Sequence, residues 1–172
     1  MSLTTTTLRC AAAIGVAIAL GGAAQAASHD RIFSYDAENE AARTLAPGGL
    51  TFVFRKQRLG GARVLKVLST RDRGTAELKP ASDKDLGPGG LGAVIGKAGE
   101  RDLYEILPEG QGAPLIKAAC PNADRGWLSF GSLKTNRNLV VHAIGRNLAT
   151  GKFYRCAALE FAFHGEWKLP PS

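Results

Sequence analysis

The sequence predicts a mostly β protein, an antiparallel β-sandwich of about seven strands with one or two short helices. Several short segments alternate apolar and polar residues, as strands with one buried face do. The stretches between them are rich in Gly, Pro, Asn and Asp, which favour turns. Short strands at this spacing are typical of a sandwich or a barrel, and we expect the sandwich.

The start of the chain, residues 1–26, is predicted to be a secretory signal peptide. Arg9 precedes an apolar run, Cys10–Leu20, and the small-x-small pattern Ala24-Gln25-Ala26 suits signal peptidase. The run is shorter than the roughly 20 residues of a membrane-spanning helix. We therefore expect a periplasmic or secreted protein with one domain over 27–172 and no transmembrane segment in the mature chain.

The first predicted element of the domain is a helix within YDAENEAARTLAPGG. Asp36 is its candidate N-cap, Glu38 and Glu40 lie in the first turns, and Gly48-Gly49 follow its end. A later segment, 82–99, is predicted to be a covering loop with at most a turn or two of helix, because its glycines oppose a longer one.

The predicted strands begin with LTFVFRK, which places Leu50, Phe52 and Phe54 on one face. Gly60-Gly61 forms the turn of a hairpin that spans 50–70. Five further strands complete the prediction, at 102–107, 113–120, 126–133, 138–145 and 152–163.

The last segment raises the question of its cysteine. Apolar side chains from Phe153 to Trp167 share one parity, which predicts that they face the core, while Cys156 has the other parity. Cys120 and Cys156 are the two cysteines after the leader, and an exported chain allows them to pair. We predict a disulfide that joins two strands. A reactive thiol or metal ligand is the disfavoured alternative, because neither cysteine lies in a C-x-x-C motif.

Motifs for catalysis or cofactor binding are incomplete. GPGGLG matches G-x-G-x-x-G but contains Pro88 and follows a polar segment, which disfavours a dinucleotide site. Ser129 has Leu128 where a nucleophile elbow needs glycine. His142 and His164 lie on predicted strands and leave a two-histidine metal site open. We assign no catalytic, cofactor-binding or metal residue and no cofactor, and we favour a protein that is not an enzyme.

Positive charge is the one global signal. The chain has 22 Lys and Arg against 15 Asp and Glu, a net charge of +7, and 51–73 is strongly basic. A basic hairpin tip could bind an anionic surface or a protein partner, although a merely solvated face is the simpler interpretation. Nucleic acid is not expected, because the chain is predicted to be exported and has no reading motif. The candidate anion-binding patch consists of Arg55, Lys56, Arg58 and Arg63.

A succession of short motifs resembles a known family. DLYEIL, LIKAACPNADRGWLSF, NLVVHAIGRNLATG, a second cysteine, LEFAF and KLPP follow one another within residues 50–172. This order resembles the luminal domain of subunit 10 of the endoplasmic reticulum membrane protein complex. The resemblance implies a non-catalytic extracytoplasmic β-sandwich with a disulfide between Cys120 and Cys156. Membrane-protein biogenesis is not expected to carry over, because no membrane helix follows at Ser172.

The sequence thus predicts an exported, non-catalytic binding or scaffold domain of unknown ligand. One alternative is a small periplasmic hydrolase or metal-dependent enzyme built around His142 and His164. Another is an inhibitor of a foreign enzyme, which would present a protruding side chain on a long exposed loop. Residues 72–101 are the candidate for that loop.

Overall fold

The computed structural model describes residues 30–57, 62–69, 74–96 and 102–168. Within these ranges the chain forms eight strands, three α-helices and one 3₁₀ helix. The strands are β1 (Asp30–Ala37), β2 (Leu50–Lys56), β3 (Ala62–Ser69), β4 (Thr75–Pro80), β5 (Asp102–Ile106), β6 (Ala123–Phe130), β7 (Leu139–Asn147) and β8 (Phe153–Lys168). The helices are α1 (Glu40–Leu45), α2 (Gly90–Ile95), α3 (Gly112–Ala119) and the 3₁₀ helix Asp83–Leu86.

The strands form a closed antiparallel barrel in which each pairs with the next along the chain. The predicted mostly β, antiparallel class is confirmed, but the sandwich of about seven strands is wrong. The difference comes from β8, whose 16 residues pair with two strands. Its first part pairs with β7 and its second part with β1, which removes both sheet edges.

One predicted helix begins later than expected, and one predicted strand is a helix. The predicted N-cap Asp36 lies within β1, and α1 begins later, where the Asn39 side chain accepts from the Ala42 backbone N–H at 2.9 Å. The strand predicted at 113–120 is instead α3, which buries Leu115 and Ile116. A short apolar run fits either structure by pattern alone, so tertiary packing decided between them.

Because the strands alternate in direction, successive connections lie at opposite ends of the barrel. The connections after β1 and β5 lie at one end, and these carry α1 and α3. Leu45, Leu115 and Ile116 from those helices belong to the main core, so the helices cover that end. The opposite end, which we call the mouth, holds the start of β1, the end of β8 and the β6–β7 connection.

A second layer covers part of the outside of the barrel. Trp127 and Ile144 point outward from β6 and β7 and are fully buried beneath Leu91 and Ile95 of α2. The segment 82–96 thus covers the barrel as predicted, but it does so with helices where its glycines favoured a loop. The segment considered for an inhibitory loop therefore contains β4 and packed helices within the part that the structure describes, while 72–73 and 97–101 lie outside it.

The parity predicted for the last strand holds only in its middle. Leu159 and Phe161 are buried in the barrel, but Phe153 packs in the outer layer and Trp167 is 47% exposed. The pairing register of β8 shifts at two bulges, one near Cys156 and one near His164. Each bulge inserts one residue and inverts the alternation beyond it.

None of the helices in the described ranges has the length and hydropathy to span a membrane.

Candidate ligand cavity at the barrel mouth

The mouth of the barrel contains a cavity of about 660 Å³. Its inner wall is apolar and mainly aromatic, whereas its rim is polar and charged. The wall side chains are Phe33, Phe54, Ala62, Val64, Phe130 and Leu133. The rim side chains are Arg31, Lys56, Gln57, Asp102, Ser132, Lys134 and Thr135.

Strand alternation explains why charged residues join this cavity. Arg31 precedes the inward Phe33 by two residues on β1, and Lys56 follows the inward Phe54 by two on β2. Asp102, the first residue of β5, lies opposite Phe130 in the sheet. These three positions are inward by parity, but they sit at strand ends, where polar groups can reach water.

The aromatic wall is held in place by specific contacts. Phe33 and Phe54 pack edge to face with ring centroids 4.7 Å apart. The Phe130 ring stacks on Tyr104, with centroids 5.2 Å apart. The Tyr104 hydroxyl accepts from the Val64 backbone N–H at 3.3 Å and can donate to the Ala62 carbonyl at 3.5 Å. Burial raises the pKa of Tyr104, so this phenol stays a neutral hydrogen-bonding group.

An ion pair between Arg31 and Glu166 lies at the mouth. Both side chains are mostly buried, with exposed fractions of 19% and 18%. The Thr135 hydroxyl donates to the second carboxylate oxygen of Glu166 at 3.1 Å, and the Arg31 guanidinium lies 5.9 Å from the Phe33 ring centroid. The pair therefore links the first strand, the last strand and the β6–β7 connection.

The rest of the rim is more exposed. Among the residues that the structure describes, neither Lys56 nor Lys134 has a carboxylate within ion-pair distance. Partial burial raises the pKa of Asp102. The rim thus presents two ammonium groups beside one carboxylate.

A smaller groove of about 420 Å³ lies between α1 and α3 at the other end. Alanines, Leu45 and Leu159 line most of it, and Glu40 is its one charged member. It offers little polar chemistry for orienting a ligand.

The predicted disulfide between Cys120 and Cys156 is confirmed, with Cα atoms 5.4 Å apart. It does not join two strands as expected. It joins the residue that ends α3 to the bulge of β8. Gly145 faces the bridge so closely that an added Cβ would lie 3.0 Å from the Cys120 Cβ and 3.1 Å from the Cys156 sulfur.

The four residues of the candidate anion-binding patch do not form one face. Arg55 points outward and is paired with Asp30 at 2.7 Å. Arg63, its partner in the sheet, is exposed on the same side, whereas Lys56 lines the cavity. Arg58 lies outside the described residues. Lys56 thus lies on the cavity side of the strand, apart from Arg55 and Arg63.

Binding of this patch to an anionic surface stays a prediction. Changing Arg55, Lys56, Arg58 and Arg63 to Ser should weaken co-sedimentation with anionic vesicles, and the wild-type binding should weaken as salt rises, because such attraction is screened over about 8 Å at physiological salt. Equal sedimentation of both proteins, or binding that ignores salt, would leave only a solvated basic edge.

The candidate catalytic residues are not brought together. His142 pairs with Ala158 on β8, and His164 lies six residues farther along that strand, roughly 20 Å away at strand spacing. His164 instead contacts Asp36 at 2.8 Å on the surface. Ser129 lies on the outer side of β6 and is buried. No group of three or more potential metal ligands occurs in the described part of the chain.

Comparison of the chain with family models, curated proteins and solved structures finds no match. The resemblance to the luminal domain of subunit 10 of the endoplasmic reticulum membrane protein complex therefore stays a prediction. The fold and cavity define the chain as an eight-stranded antiparallel barrel with a potential ligand site at its mouth.

Proposed function

We propose that this chain is an exported, non-catalytic binding domain that takes up a small, largely apolar molecule in the barrel mouth. The observation that carries the proposal is the cavity itself. Its volume of about 660 Å³ lies within the range of pockets that hold small ligands. Its aromatic wall and polar rim would bury an apolar body and orient a polar end.

Side chains fill the centre of the barrel, which leaves the mouth as the place where a ligand could bind. An eight-stranded barrel is just wide enough to be packed by side chains or to hold one small ligand. Below the mouth, Phe52 and Phe130 lie 5.1 Å apart, and Phe52 is fully buried. The cavity therefore lies above these rings, at the end of the barrel that carries the charged residues.

The proposed location outside the cytoplasm rests on two features. The leader pattern over 1–26 is typical of secreted precursors, although it lies outside the described residues. The disulfide suits an oxidising compartment. Alkylation without reduction should leave the purified native protein unmodified at Cys120 and Cys156.

Filling the cavity should weaken ligand binding. Ala62 faces the cavity from the first position of β3, so Ala62→Trp would place an indole in the mouth. We expect the affinity for the neutral fluorescent probe N-phenyl-1-naphthylamine to fall by about tenfold or more, which corresponds to about 1.4 kcal/mol. Fluorescence titration measures this directly.

The matched control is Arg63→Trp, one residue along the same strand and on the outer face. It adds the same indole without entering the cavity, so the probe should bind as in the wild type. No saturable binding by the wild-type protein, or equal losses in both variants, would overturn the proposed function.

A further inference from the structure

We propose that the ligand is an apolar molecule with one carboxylate and that Arg31 binds this carboxylate at the mouth. This inference rests on the proposed function and specifies the chemistry of its ligand. It is carried by the way in which Arg31 is paired, which differs from the pairing of the other arginines that bind carboxylates in the described ranges.

Three outward arginines use both Nε and Nη2 to bind one carboxylate. This side-on arrangement satisfies an entire edge of the guanidinium. Their side chains are between 35% and 48% exposed. These pairs are Arg55–Asp30, Arg125–Glu105 and Arg146–Asp124.

The Arg31 guanidinium uses only one of the two nitrogens on this edge. Its Nη2 contacts Glu166, but its Nε is buried and has no hydrogen-bond partner. A buried donor without an acceptor is costly, and more so when it is charged. Since Arg31 lines the cavity, an oxygen of a bound molecule could supply the missing acceptor.

Glu166 does not complete the edge itself, because its carboxylate makes no hydrogen bond to the Arg31 Nε. Its second oxygen accepts from the Thr135 hydroxyl at 3.1 Å, which anchors the carboxylate to the β6–β7 connection. The Phe33 ring, 5.9 Å from the guanidinium, packs beside Arg31. The free Nε is thus held at the boundary between the aromatic wall and the rim.

The surrounding charges favour an anion at this point. Lys56 and Lys134, which have no carboxylate partners in the described part of the chain, outnumber the one rim carboxylate, Asp102. A carboxylate matches the planar guanidinium edge, and its apolar body would extend along Phe33 and Phe54. Glu166 then acts as a competing counter-ion, not as part of the ligand site.

Isothermal titration calorimetry with three twelve-carbon compounds tests which head group the cavity prefers. Dodecanoate, dodecanol and dodecylamine share an apolar chain but differ in the charge of the head. We expect the wild-type protein to bind dodecanoate about tenfold more tightly than dodecanol, as one charged hydrogen bond would provide, and dodecylamine more weakly than either. Equal affinities, or a preference for the amine, would overturn the inference.

Variants then test the role of Arg31. Arg31→Gln should remove the preference for dodecanoate and leave dodecanol binding unchanged, whereas the outward control Arg55→Gln should keep the preference. The double variant Arg31→Gln/Glu166→Gln removes both charges, so it gives the same result without leaving an unpaired carboxylate. Glu166→Gln alone should strengthen dodecanoate binding, because it removes the competitor while retaining Arg31.

The outcomes separate this inference from the proposed function. If dodecanol binds and Ala62→Trp blocks this binding, but the Arg31 variants keep the dodecanoate preference, the proposed function is supported and the role of Arg31 is wrong. If none of the twelve-carbon compounds binds the wild-type protein, both are wrong. Weaker dodecanoate binding by Glu166→Gln would show that the pair merely supports the fold and would overturn the inference.

Discussion

Replacing both Cys120 and Cys156 with alanine is expected to lower the free energy of unfolding by about 4 kcal/mol, on the chain-entropy model for a loop of this length. The two cysteines are 36 residues apart in sequence. Their bond ties the end of α3 to β8, the strand that closes the barrel. Without it, the unfolded chain regains the freedom that the bridge removes.

Urea unfolding followed by far-ultraviolet circular dichroism measures this loss. The reduced wild-type protein serves as the control, because it should unfold at nearly the same urea concentration as the double variant. A loss below about 1 kcal/mol would mean that the bridge does not constrain the unfolded chain as the model requires.

Loss of Trp127 is expected to cost about 3–5 kcal/mol on replacement with alanine, which is typical of a buried large aromatic residue. Trp127 is fully buried between the barrel and the outer layer, and its ring lies 5.4 Å from that of Phe153. The effect should be large even though Trp127 is not inside the barrel, because α2 and the 3₁₀ helix pack over it.

The chain provides a matched control in its other tryptophan. Trp167 is 47% exposed, so Trp167→Ala should change the free energy of unfolding by only about 0.5 kcal/mol. Thermal unfolding of both variants compares them directly. Equal losses in the two variants would contradict the assignment of 82–96 as a second layer of the core.

Local patterns predicted the strands that alternate clearly, such as the 50–70 hairpin, because each of them has one buried face. They did not predict β1, since its last residues, YDA, were assigned to the start of the predicted helix. Its signal was nevertheless present: Phe33 and Tyr35 share a parity and are both buried. The closure of the barrel could not be predicted from local sequence patterns, because it depends on pairing between the first and last strands.

The candidate site was missed for a related reason. Arg31 has the inward parity of Phe33, so its position could have been found once β1 was recognised. Its partner could not, because the bulge near His164 reverses the alternation of β8 and turns Glu166, not Trp167, inward. The basic residues of the hairpin were evident in the sequence, but which of them faces the cavity depends on register.

The central claim is that the barrel mouth binds an apolar molecule, and a nitrogen–proton correlation spectrum of the labelled protein titrated with dodecanoate tests it most directly. We expect saturable shifts at the amides of Phe33, Phe54 and Phe130, which line the mouth, and little change at Leu45 and Ala118 in the groove between the helices. Shifts confined to that groove, or no saturable shifts at all, would contradict the claim.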